Sequence, residues 1–324
     1  MLTYFYFDSS LFEDKNLIQA EQPNDILLDK WLRYGCLHIC KANLKDSLSA
    51  IKNINPKYVQ RWQTALAYNT KKILDSPSPK LSECEDINLV YESLGKVDIQ
   101  TGVVSHELID LYEEKKIEKN SFEIISPSLI HNSINFKNSE TLAEKSIDKG
   151  TVVDDLWNSR ISKLVSCSKS ITFIDKFMMK NVIEDYHKGV KTSLEYIVEK
   201  ISEQSHQDIT VKIISGCDFY GNQTNFSEIK DYLENVLYTK PFFKSTVKLE
   251  VSFCKSRFFG DECHDRLFAI GNFVIEIGKG ADVFRAADIA RNTFTIKNLT
   301  NTFFNEAYAS LNKQREKVYR NYEI

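Results

Sequence analysis

The sequence predicts an α/β protein with two domains, and three observations lead to this prediction. The 324 residues are enough to form two hydrophobic cores of ordinary size. Apolar runs with the period of a strand alternate with longer runs that have the period of a helix, as in sheets flanked by helices. A polar stretch at 131–150, rich in Asn, Lys and Glu, separates two such series. We therefore expect an N-terminal α/β domain at 1–140 and a second domain at 150–324.

Composition narrows the class of protein. The 42 basic and 45 acidic residues give a net charge of −3, which excludes a strongly basic nucleic-acid binder but leaves room for a local basic patch. The longest apolar runs are too short to span a bilayer, and the N-terminal MLTYFYFDSS lacks the basic region of a signal peptide. The seven cysteines form no CxxC pair and indicate reduced thiols. We expect a cytoplasmic bacterial protein.

The elements of the N-terminal domain alternate between strand and helix. Strands are predicted at 2–7, 36–40, 87–91 and 122–125. Helices are predicted at 25–34, at 44–51 behind an Asn43 cap, at 57–73 and at 105–119. This alternation favours a parallel sheet.

Carboxylates of the N-terminal domain offer one candidate metal site. Asp8 follows the first predicted strand and Asp46 lies in a later helix, with Asp86 and Asp98 as possible companions. The arrangement resembles PIN-like nucleases, which gather carboxylates at strand ends to hold Mg²⁺ or Mn²⁺. Asp8 followed by two serines also fits an ordinary helix cap, and we favour that interpretation.

A second motif that resembles a metal site is the run CLHIC, with Cys36, His38 and Cys40. It has no second pair of ligands and lies in an apolar, strand-like segment. We therefore assign these residues to the core.

The C-terminal domain is also predicted to contain both strands and helices. Strands are predicted at 170–177, 209–214, 247–253, 267–270, 273–277 and 294–299. Helices are predicted at 151–165, 181–204, 225–237 and 301–320. Together they predict a mixed sheet flanked by helices.

The stretch from Ser252 to Phe284 carries the clearest functional signal. Gly271-Asn272 between two short apolar runs is typical of a tight hairpin turn. The second run ends at Gly278-Lys279-Gly280, where glycines permit close approach of a ligand and successive N–H groups can form an anion-binding nest. His264 and Arg266 come immediately before the first run.

The chain resembles the phospholipase D superfamily over about residues 150–324. The resemblance is carried by the His-x-Arg pair, the hairpin and the glycine turn. The family motif is His-x-Lys followed at fixed spacings by an Asp and by a Gly-Ser-x-Asn turn. His264, Arg266 and Gly278 stand on matching positions, whereas Gly271 replaces the Asp. The Gly-Lys-Gly-Ala-Asp-Val-Phe segment is more similar to the phospholipase-D-like C-terminal domain of MIT-domain proteins. That branch has a His-x-Arg and binds phosphorylated lipid surfaces without cleaving them.

The resemblance implies a specific chemistry. In active relatives the His attacks phosphorus without a metal or other cofactor, the Lys neutralises phosphoryl charge, and the Asp orients the His. Arg266 can replace the Lys, since its planar fork suits phosphate. For the absent Asp, three alternatives remain open: Asp261, Asp265 and Asp282. Active relatives use two motifs, and this chain has one, so cleavage implies a homodimer. We favour a site that binds phosphate without cleaving it.

Basic residues around the motif indicate the class of ligand. The candidate phosphate-binding residues are Lys255, Arg257, Gly278, Lys279 and Gly280, with aromatic residues interleaved at Phe253, Phe258 and Phe259. Cations interleaved with aromatic rings are typical of single-strand binders, so we expect nucleic acid as the partner. The alternatives are an anionic phospholipid as ligand and, for activity, a nuclease that works through His264 or through Asp8 and Asp46. Proteins that this chain resembles often belong to prokaryotic defence systems. By that analogy we expect the protein to act in such a system together with a partner protein.

Overall fold

The structure, a computed structural model, describes residues 1–76, 80–84, 87–95, 98–110, 122–204, 208–219, 222–243, 247–262 and 266–322. The chain divides into two compact units, Met1–Leu142 and Ala143–Ile324. Each unit contains its own sheet flanked by helices, so the predicted α/β class is confirmed.

The first unit is built on a parallel sheet of five strands. They are β1 (Thr3–Tyr6), β2 (Gly35–Cys40), β3 (Lys71–Leu74), β4 (Thr101–Val103) and β5 (Glu123–Ile125). Their order is β3-β2-β1-β4-β5, and every pair is parallel. This is the order of a doubly wound sheet, in which the chain leaves β1 first in one direction and then in the other.

Within the described residues, seven α-helices accompany this sheet. They are α1 (Lys15–Gln19), α2 (Glu21–Tyr34), α3 (Lys41–Ala50), α4 (Pro56–Tyr68), α5 (Ile87–Gly95), α6 (His106–Asp110) and α7 (Ile134–Glu144). Large aromatic side chains make the core, where the Trp62 ring meets the rings of Phe7 and Phe12 edge to face.

Three predictions for the first unit were wrong. Residues 87–91 begin helix α5, because Val90 and Leu94 both bury their side chains at helical spacing. The helix predicted at 57–73 ends at Tyr68, since Asn69 is extended and the chain continues as strand β3 beside β2. Asn43 does not cap α3. Its amide donates instead to the Tyr6 hydroxyl at 2.6 Å.

The second unit is built on a mixed sheet of seven strands. They are β7 (Ser170–Ile174), β8 (Ile209–Gly216), β11 (Val247–Cys254), β12 (Leu267–Ile270), β13 (Phe273–Ile277), β15 (Phe294–Asn298) and β16 (Lys317–Arg320). Their order is β15-β13-β12-β7-β8-β11-β16. The neighbouring pairs β7–β8 and β8–β11 are parallel, and the other neighbouring pairs of this sheet are antiparallel. The described part of this unit also contains the short strands β6 (Thr151–Val152), β9 (Asp218–Phe219), β10 (Asn222–Gln223) and β14 (Asp288–Ile289).

The helices of the second unit cover this sheet. They are α8 (Val153–Leu156), α9 (Ser162–Ser166), α10 (Met178–His187), α11 (Ser193–Gln204), α12 (Phe226–Asp231), α13 (Ser256–Glu262) and α14 (Phe304–Lys313), with π-helical turns at Trp157–Ile161 and Tyr232–Leu237.

Two helix predictions for the second unit were wrong. The single helix predicted at 181–204 is two helices, because Gly189 has a φ of +66° and Thr192 starts α11 by forming reciprocal bonds with Glu195. The helix predicted at 301–320 ends at Lys313. Residues Lys317–Arg320 then pair with β11 as an antiparallel edge strand.

The predicted hairpin is confirmed. Strands β12 and β13 pair in antiparallel register from Leu267↔Glu276 to Ile270↔Phe273. Gly271 has a φ of +57°, which glycine adopts at little cost. The position where the phospholipase D motif has its Asp is therefore the first residue of a tight turn in this protein.

Candidate functional site

The candidate site lies at the edge of the second sheet where the parallel strands end. Strands β7, β8 and β11 all finish there, β12 begins there beside the end of β7, and β13 ends there beside the start of β12. Strand β7 has β8 on one side and β12 on the other, so the chain reverses its direction of growth at this strand. Open α/β sheets bind ligands outside the carboxyl ends of strands at such a point.

Asp175, the residue immediately after β7, is the structural centre of this edge. Its side chain is 2% exposed. One carboxylate oxygen accepts a hydrogen bond from the Phe177 amide at 2.9 Å, and the other accepts from the Ala281 amide at 2.8 Å. Burial raises the pKa of Asp175, while the two amides and the nearby Arg266 charge act in the opposite direction.

The chain turns at Gly278-Lys279-Gly280, and the amide that follows this turn faces an anion of the protein itself. Lys279 has right-handed helical angles and Gly280 a φ of +60°, the combination that turns successive N–H groups to one side. The next amide in the chain, that of Ala281, donates to Asp175. A Cβ atom on Gly280 would lie 2.0 Å from the Asp175 Oδ2 atom. Gly280 thus allows the turn and the carboxylate to meet.

Arg266 is held from three sides. Its Nη1 atom donates to the Gly278 carbonyl, and its Nε atom lies 3.6 Å from the Asp175 carboxylate. Its guanidinium carbon lies 5.6 Å from the centre of the Phe177 ring. The side chain is 29% exposed, so a fixed guanidinium reaches solvent at this edge. Asp175 compensates part of its charge.

Two lysines at the same edge lack an acidic partner within 4 Å among the residues that the structure describes. Lys176 follows β7, and its Nζ atom lies 5.4 Å from the centre of the Phe177 ring. Lys279 follows β13 and is exposed. Lys176 and Arg266 therefore approach one aromatic ring and leave positive charge available around it.

The remaining basic residues predicted for the site differ in their charge partners. Lys255 follows β11 and forms an ion pair with Glu316 at 3.2 Å. Arg257 is exposed in α13, and its guanidinium carbon lies 4.9 Å from the centre of the Phe258 ring. Of these two residues, Arg257 is the better candidate for an external anion.

The predicted aromatic partners were only partly correct. Phe253 and Phe259 are buried in the hydrophobic core and cannot stack on a ligand. Phe258 is half-buried against the core, and the Arg257 guanidinium lies over its ring. Phe177, which the sequence reasoning missed, is half-buried beside Lys176 and Arg266.

The motif histidine, His264, lies outside the described residues, as do Cys263 and Asp265. Of the acids considered as substitutes for the missing Asp, Asp282 is engaged elsewhere: it accepts hydrogen bonds from Asn181 at 2.9 Å and from Arg285 at 2.7 Å. The side chain of Asp261 also falls outside the described part of the chain.

The sequence around Asp175 marks it only weakly as a site residue. It lies far from the motif in sequence, and its one local signal is its position as the first polar residue after the apolar run ITFI. That signal is shared by many strand ends, so it becomes informative only once β12 is known to pair with β7.

Neighbouring side chains fix the glycine turn in place. Arg285 donates two hydrogen bonds to the buried Asp185 of α10, at 2.7 and 2.6 Å. The charge-assisted pair anchors the 3₁₀ turn Gly280–Arg285 on that helix, and it keeps the Ala281 amide directed at Asp175.

Thiols at this edge are poor candidates for nucleophiles. Cys217 follows β8, and burial together with the nearby Glu316 raises its pKa to about 12. Cys254 ends β11, and burial raises its pKa to about 11. Both stay protonated at neutral pH, whereas catalysis requires the thiolate.

The carboxylates proposed for the first unit have structural partners. Asp8 is buried, caps the turn Ser9–Glu13 by accepting from the Ser10 amide at 3.0 Å, and also accepts from the Leu81 amide. Asp46 is exposed on α3 and Asp98 is exposed in a turn with a φ of +52°, while Asp86 lies outside the described residues. Within the described chain, Asp8 belongs to no group of three side chains close enough to share a metal ion.

The CLHIC segment is strand β2, and all its residues are buried. The His38 ring lies 4.2 Å from the Tyr4 ring, centre to centre. Packing against an aromatic ring fits the core assignment predicted from the sequence.

No family model and no curated protein matches this chain. Among solved structures, TrmBL2, an archaeal chromatin protein with a novel mode of DNA binding, is similar at 13% identity and a TM-score of 0.26. The match covers 81% of this chain and 68% of TrmBL2. A similarity this weak supports no statement about fold or function. Among the described helices, none has both the length and the apolar character needed to cross a bilayer.

Proposed function

We propose that the second unit is a divergent phospholipase-D-like domain that binds a phosphodiester group of nucleic acid at the carboxyl edge of its sheet. Arg266, Lys176 and Lys279 supply the positive charge. The supporting observation is the buried Asp175 carboxylate, which lies 3.6 Å from the Arg266 Nε atom and presents a fixed guanidinium to solvent. A planar guanidinium held in place suits the geometry of phosphate.

Binding without cleavage is the form of this function that the geometry favours. The residue at the motif's Asp position is Gly271, which forms the hairpin turn. The acid that lies closest to the motif arginine among the described residues, Asp175, uses its two oxygens on backbone amides and on Arg266. The Asp175 carboxylate therefore has a structural role, which is to hold the turn and Arg266 in place. Cleavage through His264 in a homodimer is the alternative.

The binding test uses fluorescence anisotropy with labelled RNA, single-stranded DNA and duplex DNA over a range of salt concentrations. The double variant Lys176→Gln, Lys279→Gln should weaken binding and lower the slope of log affinity against log salt by roughly one unit for each phosphate that is no longer bound. Lys169→Gln is the matched control, because Lys169 is exposed at the opposite end of β7. An equal loss in the control, or no loss in the double variant, would reject the site.

Cleavage of the same substrates, measured with Mn²⁺ and separately with EDTA, tests the alternative. Cleavage that survives EDTA and disappears in His264→Ala would replace the binding function with a metal-independent nuclease. Cleavage that requires Mn²⁺ and survives His264→Ala would transfer the activity to the first unit. Binding with no cleavage under either condition is the result we expect.

A further inference from the structure

The cations of the candidate site form a row across the ends of several strands. Lys279 follows β13, Arg266 precedes β12, Lys176 follows β7 and Arg257 lies just beyond β11. In the sheet these strands are in the order β13-β12-β7-β8-β11. At a spacing of about 4.8 Å between neighbouring strands, the row extends over roughly 19 Å. That length exceeds a single phosphate group and fits several consecutive phosphates of one chain.

Three cations of this row have no ion pair with an acid of the described chain. They are Lys176, Lys279 and Arg257, whereas Arg266 shares its charge with Asp175. At the end of β8, the row is interrupted by Asp218, whose carboxylate accepts a hydrogen bond from the Ser256 amide. Burial acts in the opposite direction, but the Ser256 hydrogen bonds and the nearby Lys176 charge lower the pKa of Asp218. The row therefore has one acid between Lys176 and Arg257, and Asp218 offsets part of the Lys176 charge.

Two aromatic rings accompany the row. Phe177 and Phe258 are both half-buried, and each has a cation within 6 Å of its ring centre. Cations that follow a phosphate backbone, combined with aromatic rings that accept bases, are the pattern of single-strand binding. In a duplex the bases stay stacked inside, and such rings have nothing to contact.

From the row and its rings we infer that the ligand is an extended single strand of nucleic acid that crosses the strand ends from β13 to β11, with a base against Phe177. This inference rests on the proposed function and specifies its ligand. It also makes Arg257 a contact of the strand at the far end of the row, and it assigns Phe177 a role in affinity for unpaired bases.

The experiment compares labelled homopolymer oligonucleotides, from a dinucleotide to a dodecamer, with a duplex dodecamer and with vesicles that contain an anionic phospholipid. We expect affinity to rise with length and then level off, and the single strand to bind at least about tenfold tighter than the duplex. Each cation removed from the row should reduce the salt slope by about 0.7 on a single strand.

Two variants separate stacking from charge. Phe177→Leu should weaken single-strand binding by about fivefold or more without changing the salt slope. Phe303→Leu is its control, because Phe303 is exposed and lies beyond the opposite end of β15. Arg257→Gln should reduce the salt slope instead. Arg257 is exposed, so this variant also tests the row if Phe177→Leu fails to fold.

The outcomes distinguish this inference from the function on which it rests. Suppose that a dinucleotide or a duplex binds as tightly as the single-stranded dodecamer, and that the double variant Lys176→Gln, Lys279→Gln still weakens binding. The inferred single-strand path is then wrong, while the proposed phosphate site is retained. If that double variant changes no binding at all, both are wrong. Binding to vesicles without binding to oligonucleotides would assign the site to lipid headgroups and overturn the inference.

Discussion

The Asp175 carboxylate accepts a hydrogen bond from the backbone amide of Ala281 at 2.8 Å, although the two residues are 106 positions apart. This bond links the end of β7 to the glycine turn after β13, and Arg266 packs beside both. A motif that is local in sequence is thus completed by a residue from another part of the chain.

Replacing Asp175 should destabilise the second unit strongly. Asp175→Ala leaves two buried amides and part of the Arg266 charge without their acceptor, which should cost about 2–4 kcal/mol. Urea unfolding measures the loss. Asp208→Ala serves as the control, because Asp208 is 68% exposed and pairs with Lys248 at 3.6 Å. Its loss should stay below about 0.5 kcal/mol. Equal losses in the two variants would contradict the assigned role of Asp175.

A side chain at Gly280 should disrupt the site through a steric clash and through backbone strain. A second variant, Gly189→Ala, has the strain without the clash. Gly280→Ala puts a Cβ atom 2.0 Å from the Asp175 Oδ2 atom and 2.2 Å from the Arg266 Cδ atom, in addition to the strain of a φ of +60°. Gly189→Ala carries the same kind of strain, at φ +66°, with no atom within 4 Å. We expect a loss of about 1–2 kcal/mol for Gly189→Ala and a larger one for Gly280→Ala. Thermal unfolding compares them, and similar losses would exclude the clash.

Glu250 should make the stability of the second unit depend on acidic pH. Burial favours a higher pKa, but Arg320 and Arg315 outweigh it and hold the pKa of Glu250 below its ordinary 4.5. A lowered pKa means that the stabilisation is present above pH 4.5 and is lost as the pH falls through the pKa of the folded state. Urea unfolding across the acidic range should show this loss.

The variant Glu250→Gln should remove about 1–3 kcal/mol at neutral pH and flatten that part of the pH profile. Glu306→Gln provides the comparison, because Glu306 is exposed on α14. If the profiles of Glu250→Gln and the unmodified protein coincide, Glu250 does not contribute to the pH dependence.

In the first unit, Asp8 and Asp46 should respond differently to substitution. Asp8→Ala removes the acceptor of the Ser10 and Leu81 amides and should cost about 1–3 kcal/mol. Asp46→Ala should stay within about 0.5 kcal/mol, since the side chain is exposed. Mn²⁺ should leave the melting temperature of the unmodified protein unchanged. A rise in melting temperature that Asp8→Ala abolishes would restore the metal-site alternative.

Local chemistry explains which elements were predictable. The hairpin follows from Gly271-Asn272, because the turn needs a residue that tolerates a positive φ. Strands β8 and β11 follow from the runs ITVKII and VKLEVSF, in which apolar residues recur at every second position, the period of a strand.

Errors occurred where a distant partner decides the structure. The segment KVYR continues a charged helical pattern, yet it is a strand because β11 offers it a free edge. The segment that starts at Ile87 resembles a strand over five residues, and only the burial of Leu94 at the next turn reveals a helix. Short apolar runs do not distinguish the two conformations by themselves.

The site was predictable only in part for the same reason. Arg266 and the glycine turn both lie in the segment Ser252 to Phe284, where the sequence motif indicated them. Asp175 and Phe177 reach them through the pairing of β12 with β7, which nothing within the motif specifies. The amide that follows the glycine turn faces Asp175, an acid that could be identified only from the tertiary structure.

The position of β1 in the middle of the first sheet has a consequence for synthesis of the protein. One partner, β2, follows soon after β1, whereas the other, β4, brings Gln100 to the Tyr4 amide across 96 positions of the chain. On the ribosome, the aromatic strand TYFY therefore keeps one hydrogen-bonding edge open until β4 has emerged. Open apolar edges recruit other chains. We expect the yield of soluble protein to depend on chaperones that act on the nascent chain and on the rate of translation between β2 and β4.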